Sequence, residues 1–356
     1  MASSVEGKKR RGLSGRFAEH LLDAAFVPLV VVALVTYLSI ANPVFLTPGN
    51  VSNLLAQTVI LALAAFGATF VVIVKEIDLS VGAGTAFVSV VAASVMLATD
   101  SVPLGLLVGI LAGLSIGAVN GLLVSALEVP SFIATLAILV ILRGVALALT
   151  SGGVISGLPP ELGTLSDLSI LGLPGIVWLM LVTFVALLVL ERQTTFGVRV
   201  FAVGGNAEAA RLSGIRSNRV RFLAFMISGL TMGLAGLALT IRVNSGQPNG
   251  AQLLELYAVA AIVMGGTSLA GGRGSVARTL FGVLLIAILQ NGLTLASVTY
   301  DIQQAIIGVV FILAASVEFV RRIVRRRERA RALGSLSNAP PAEPTPATPS
   351  AEVGPG

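Results

Sequence analysis

The chain has no cysteine, a single histidine, three lysines and one tryptophan, and only 11% of its 356 residues are charged. Without cysteine there can be no disulfide, no thiol nucleophile and no cysteine-bound metal. The one histidine, His20, lies outside the apolar segments, which argues against histidine-rich metal chemistry. A phosphate-cradling P-loop needs glycines followed by Lys and Ser or Thr. Lys8, Lys9 and Lys75 are not so placed, so the chain is not expected to hydrolyse ATP by that mechanism. The glycine-rich "GGTSLAGGRGS" lacks the lysine and reads as a tight turn between apolar segments. No nucleophile–base pair stands out, and a membrane enzyme has the least support.

What the chain has in abundance is apolar surface. Hydrophobic residues make up 55% of it, and the mean hydropathy of +0.96 is far above soluble usage. Crossing hydrocarbon takes about 20 mainly apolar residues. Ten such segments are read near 22–41, 52–74, 80–98, 103–125, 131–150, 174–190, 222–241, 252–269, 276–296 and 301–320. The expected fold class is therefore an all-α polytopic membrane protein of about ten transmembrane helices. Its layout is a basic N-terminus at 1–21, a transmembrane domain at 22–320 and a basic, then Pro/Ala/Ser/Thr-rich tail at 321–356, whose end is expected to be disordered.

Eighteen of the 23 basic residues fall before the first span, between the sixth and seventh at 191–221, or in the seven arginines from Arg321 to Arg331. The positive-inside rule then places both termini and the 191–221 segment in the cytoplasm. An uncleaved first span is favoured over a signal peptide, because its apolar run is too long for an ordinary signal core. Topology accounts for the arginine tail, with contact to anionic membrane lipids or docking of a partner as alternatives; no nucleic-acid partner is expected.

The central interruption reads "GNAEAARLSGIRSNRVR". Asn206 suits an N-cap, Glu208 falls where the helix dipole favours a carboxylate, and Gly214 suits the left-handed residue that ends a helix. The spacing predicts a helix of about two turns, Ala207 to Ser213, with Ala209 and Leu212 on one small apolar face. Such a helix is too short to be stable alone in water and needs something to dock against.

"EAARLSGI" resembles the cytoplasmic coupling loop of ABC importer permeases. "FLTPGNVSNLL", "IDLSVGA", "NGLLVSALEVPSFIATLAILVILRGVAL", "TTFGVRVFAVGGNAEAARLSGI" and "GGTSLAGGRGSV" are similar to the permeases of ribose and related monosaccharide importers, in family order across about 45 to 320. Lys75-Glu76 departs from the pattern, since relatives usually carry glycine or another small residue there. The resemblance implies a bacterial inner-membrane permease, with ATP and Mg held by a separate ABC ATPase and none by this chain. It also implies an extracytoplasmic sugar-binding protein and a permease pair, expected to be a homodimer. Glu208, Ala209, Ala210, Leu212 and Gly214 would form the ATPase-coupling site. Nucleoside and branched-chain amino acid permeases are alternatives within the class. An ion-coupled secondary transporter is the alternative outside it, for which no convincing mid-membrane carboxylate is visible; Asp78, Glu255 and Asp301 fall near span ends.

Two further patterns bear on assembly and pathway. Gly105, Gly109, Gly113, Gly117 and Gly121 recur every fourth residue, leaving one stripe of the fourth span open to close approach by a neighbour within the bundle or in a second permease. Gln57, Asn120, Arg143, Gln290 and Asn291 are polar groups within spans, and are candidates either for the sugar pathway or for interhelical bonding. Asn-Gly-Leu recurs at 120–122 and 291–293, five spans apart, which hints at a 5+5 inverted repeat. The segment 151–173 is the long connection on the outer face, a surface for a binding protein or an ordinary exposed loop.

Overall fold

The computed structural model describes residues 26–312, and over these it is helical apart from one hairpin of two-residue strands. The basic N-terminus, the first residues of the first expected span, the end of the tenth and the whole of 321–356 lie outside the described residues. The described residues through Ile307 form one compact unit, and those from Gly308 onward belong to a second.

Helices α1 (Phe26–Ala41), α2 (Pro48–Ile73), α3 (Val81–Thr99), α4 (Val102–Ser125) and α5 (Ser131–Thr150) follow the first five expected spans closely. Polar caps set the starts of two of them, α2 and α4. Thr47 accepts from the Asn50 amide ahead of Pro48 in the first turn of α2, and Ser101 does the same for Leu104 at α4. The segment 151–173, read as a surface for a binding protein or an ordinary connection, folds into α6 (Pro160–Ser166) and a hairpin of β1 (Ser169–Ile170) and β2 (Leu173–Pro174). Leu171 and Gly172 both take positive φ in its turn, the backbone that matches strand twist. This segment is also tied to the loop after α10 by paired hydrogen bonds between Ile155 and Gly246.

Then come α7 (Gly175–Gln193), α8 (Thr195–Gly205), α9 (Ala207–Leu212), α10 (Ser217–Val243), α11 (Leu254–Met264), α12 (Val276–Leu295) and α13 (Tyr300–Ile312). Two departures from the sequence reading matter. The eighth expected span, 252–269, is an 11-residue helix, α11, of about 16 Å at 1.5 Å per residue. It ends where Gly265 is followed by Gly266 at φ +84. And α8, which the apolar runs did not announce, precedes the expected short helix. Among the described residues, seven helices are long and apolar enough to cross a membrane: α2, α3, α4, α5, α7, α10 and α12.

At the centre stands α2. Every residue from Thr58 to Ile73 is buried, and α2 packs on α7, α10, α11 and α12. Of its most apolar window 89% is buried, against 22% in α5 and α7, which turn apolar side chains such as Val140, Ile141, Val182 and Val185 outward. For a chain in lipid that is no liability, because hydrocarbon solvates those faces. The glycine stripe of α4 lies against α10. A Cβ at Gly113 would meet the Gly229 carbonyl oxygen at 2.5 Å and the Gly233 Cα at 2.6 Å, and one at Gly117 would meet the Phe225 carbonyl oxygen at 2.5 Å. The close approach is thus between two helices of the same chain. Gly109 faces Leu237, Gly121 faces Phe222, and Gly105 turns to Met96 and Ala92 of α3.

Candidate functional site

The segment 191–221 contains α9, and both of its ends are closed by local chemistry. The Asn206 side chain accepts from the backbone N–H groups of Glu208 at 3.1 Å and Ala209 at 3.0 Å. At the other end Gly214, at φ +82, donates to the Arg211 carbonyl, and Ile215 donates to that of Ala210. This pair of bonds is the Schellman motif, which glycine permits because it has no Cβ to clash in the left-handed region. Glu208 and Arg211 pair side by side, at 2.6 Å and 3.1 Å. That pairing holds the exposed Glu208 carboxyl below its ordinary range, first through the hydrogen bond and then through the charge.

Capping makes a six-residue helix persist without a long hydrogen-bonded run. Of the five residues assigned to coupling, Ala210 is buried against its own chain, while Glu208, Ala209, Leu212 and Gly214 are exposed. Leu212 is 77% exposed on a polar, charged segment. In the same segment Arg192, Arg199, Arg211, Arg216 and Arg219 are all exposed. Arg221 alone of the six arginines in the segment turns inward, where its Nε lies 3.3 Å from Glu76. The Lys75-Glu76 departure thereby has a structural account. Glu76 supplies a charge partner to α10, and Lys75 adopts the left-handed turn, φ +71, that a glycine would take without cost.

The polar candidates within the spans sit in different surroundings. Gln57 is exposed on α2 and Arg143 half-buried on α5. Gln290, half-buried, hydrogen-bonds Tyr257. Asn291 exchanges two amide hydrogen bonds with Asn50, at 3.0 and 2.9 Å, joining α12 to the first turn of α2. Asn120 is fully buried and donates to the Ser80 hydroxyl at 2.8 Å.

That last bond leads to a group whose burial the sequence does not reveal. Asp78, expected near a span end where water, capping or snorkelling would account for it, is 3% exposed in the structure. One carboxylate oxygen accepts from the Ser80 amide and hydroxyl, and the other from the Ser228 hydroxyl at 2.8 Å. Thr135 accepts from the Leu79 amide and donates to the Ile77 carbonyl, while Ser131 accepts from the Ile77 amide. The 74–80 loop is thus pinned to α4, α5 and α10. Glu255 is buried too, over Gly82 of α3. A third carboxylate, Glu191, gives no sign of itself in the sequence, where it stands beside Arg192 at a span end. Its side chain is turned inward and accepts the Val276 amide at 2.6 Å.

At the end of the bundle remote from α9, Ser52, Asn53 and Ala56 of α2, Ser166, Pro174, Ile176 and the end of α10 with Arg242 line an open polar cleft. None of the five polar candidates lines it.

Comparison with known proteins accounts for most of the chain. The family described as branched-chain amino acid transport system / permease component matches residues 50–315. The ribose import permease protein RbsC of Bacillus subtilis (strain 168) is 42% identical over 287 residues, covering 80% of this chain and 89% of that protein. The L-arabinose ABC transporter permease protein AraH of Azospirillum brasilense is 37% identical, covering 86% and 91%. The xylose transport system permease protein XylH of Escherichia coli (strain K12) is 33% identical, covering 85% and 93%. No solved structure matches. With seven helices of membrane-crossing length, a doubly capped helix between two of them and a family match spanning three quarters of its length, the chain belongs to this family of multi-pass bacterial membrane permeases.

Proposed function

We propose that the chain is the membrane permease subunit of a binding-protein-dependent ABC importer and carries a monosaccharide, ribose or a related sugar. One observation carries the reading: α9, capped at both ends, presents Ala209 and Leu212 to solvent amid a charged segment, as a docking element with its partner missing would. Similarity to ribose, L-arabinose and xylose permeases supports the cargo class. The partner that fits α9 is an ABC ATPase, which would hold the ATP and Mg.

In this reading the end of the bundle bearing α9 faces the cytoplasm, as do both termini. The seven long helices together with α1, α11 and α13 make ten crossings. The short α11 completes its crossing with irregular flanks, which are tolerated at membrane depth where protein rather than lipid surrounds them. The opposite end, with α6, the hairpin and the cleft beside Arg242, faces the binding protein. A second permease copy completes the assembly. ATP binding draws the two ATPases together, α9 moves with its partner, and the bundle exchanges an outward for an inward opening. The two Asn-Gly-Leu sites lie near the C-terminal ends of α4 and α12, at opposite faces in this topology, which fits the inverted repeat.

Buried Asp78 is one of the carboxylates, with Glu255 and Asp301, that an ion-coupled mechanism would draw on. Both of its oxygens already accept from fixed protein donors. These bonds make it a structural anchor of the 74–80 loop.

The test is co-purification of the partner ATPase with wild-type, Glu208→Ala and Gly214→Pro proteins, followed by uptake of labelled ribose, L-arabinose and xylose. Loss of association and of energised uptake in variants that still reach the membrane is the expected result. Uptake that needs no ATPase and collapses with the proton or sodium gradient would overturn the reading.

A further inference from the structure

Given the permease reading, the open question is which helices α9 moves. Its sequence neighbour α10 is tied to it by the Ser217 hydroxyl, which donates to the Ala207 carbonyl at 3.2 Å, but a backbone-to-backbone junction leads to other helices. Asn206 alone separates α9 from α8. The last turn of α8 meets two other segments backbone to backbone. A Cβ at Gly204 would fall on the Ile73 carbonyl oxygen, and would meet the Gly272 nitrogen at 2.6 Å. One at Gly271 would meet the Gly204 carbonyl oxygen at 2.7 Å, and one at Gly272 the Gly205 Cα, also at 2.7 Å. Across this junction the Gly272 amide donates to the Ile73 carbonyl at 2.9 Å. Three chain segments thus touch with no side chain between them, so no rotamer change can absorb a displacement.

A second tie holds the other end of α8. Gly197 packs on the carbonyls of Leu190 and Glu191, and the buried Glu191 carboxylate takes the Val276 amide at the start of α12. This is a charge-assisted bond at a helix N-terminus, where a carboxylate is best placed. The two helices so engaged, α2 and α12, are also bonded to each other: Thr69 to Thr279 at 2.9 Å near this end, and Asn50 to Asn291 at the far end. Beside Asn50, residues Ser52, Asn53 and Ala56 of α2 line the cleft with Arg242.

We propose that movement of α9 reaches the transport path through the α2–α12 pair, and that Gly204 and Glu191 are the positioning residues that make the connection. The α8–α9 segment acts as a short lever. Its fulcrum is the glycine junction at Ile73 and Gly272, and its load is a pair of helices clamped along their length.

The experiment uses the full importer, chain plus ATPase plus binding protein, in proteoliposomes. The ATP hydrolysed per labelled sugar moved, with ribose, L-arabinose and xylose as probes, is compared for wild type, Gly204→Ala, Glu191→Ala and Glu191→Gln. Both alanine variants should retain the ATPase, because the exposed face of α9 is untouched. They should spend more ATP per sugar by roughly 5- to 150-fold, the range of a lost coupling free energy. Glu191→Gln keeps an acceptor oxygen for Val276 and should return the ratio toward wild type. A merely structural defect lowers hydrolysis and uptake together and leaves the ratio alone. An unchanged ratio in both alanine variants therefore overturns the proposal while leaving the permease reading intact. A wild-type chain that holds no ATPase overturns both.

Discussion

Lys75 occupies a backbone conformation in which its Cβ is a burden, φ +71, beside the glycine junction. Replacing it with glycine removes a cost of about 1 kcal/mol. Lys75→Gly should therefore raise the thermal unfolding midpoint of the detergent-purified protein, and a lowered midpoint would show that the lysine makes a compensating contact. Asp78 makes the opposite case. Asp78→Ala would leave the donors of Ser80 and Ser228 buried without an acceptor, at about 1–3 kcal/mol, and should lower the same midpoint. Gly214 and Asn206 are readable from the sequence because caps are local: each acts on backbone groups within three residues. Asp78 is not, because its partner Ser228 is 150 residues away, and nothing in a sequence of apolar runs says which helix a loop will meet.

Helices α4 and α10 touch through glycines, so bulk at their crossing has nowhere to go. Gly113→Leu and Gly117→Leu should each destabilise the chain by about 3 kcal/mol or more, since the obstacle is backbone rather than a movable side chain. Gly144 of α5 is the contrast, with open space for 4 Å around the point where a Cβ would stand. Gly144→Ala should be neutral or stabilising by up to about 1 kcal/mol through helix propensity. Yield of folded monomer after detergent extraction and heating distinguishes the two; equal behaviour of the three variants would refute the packing account. The stripe is legible as a periodic pattern in one helix, whereas its partner is not, since Gly229 and Gly233 mark a second smooth surface without saying that the two meet. Similarly, the apolar runs locate the long helices, yet cannot show that 252–269 breaks at Gly265 or that α8 forms before α9.

The absence of cysteine makes the whole chain its own reference for topology. Leu212→Cys and Leu171→Cys place single thiols on side chains that are 77% and 86% exposed, on α9 and at the hairpin tip. In intact cells an impermeant maleimide should label Leu171→Cys and spare Leu212→Cys, with both labelled after the membrane is opened. Labelling of both from outside would reverse the proposed orientation of the bundle.

Membrane residence, the positions of the long helices and the form of α9 are all written in the order of the residues. The reason is that hydrocarbon thickness, helix rise and backbone capping act over short stretches of chain. The meeting of Gly204 with Ile73 and Gly272, of Glu191 with Val276, and of Asp78 with Ser228 belongs to the folded molecule alone. Those contacts join segments far apart in sequence, and hydrophobicity drives helices into lipid without choosing their neighbours; close backbone packing and buried hydrogen bonds make that choice.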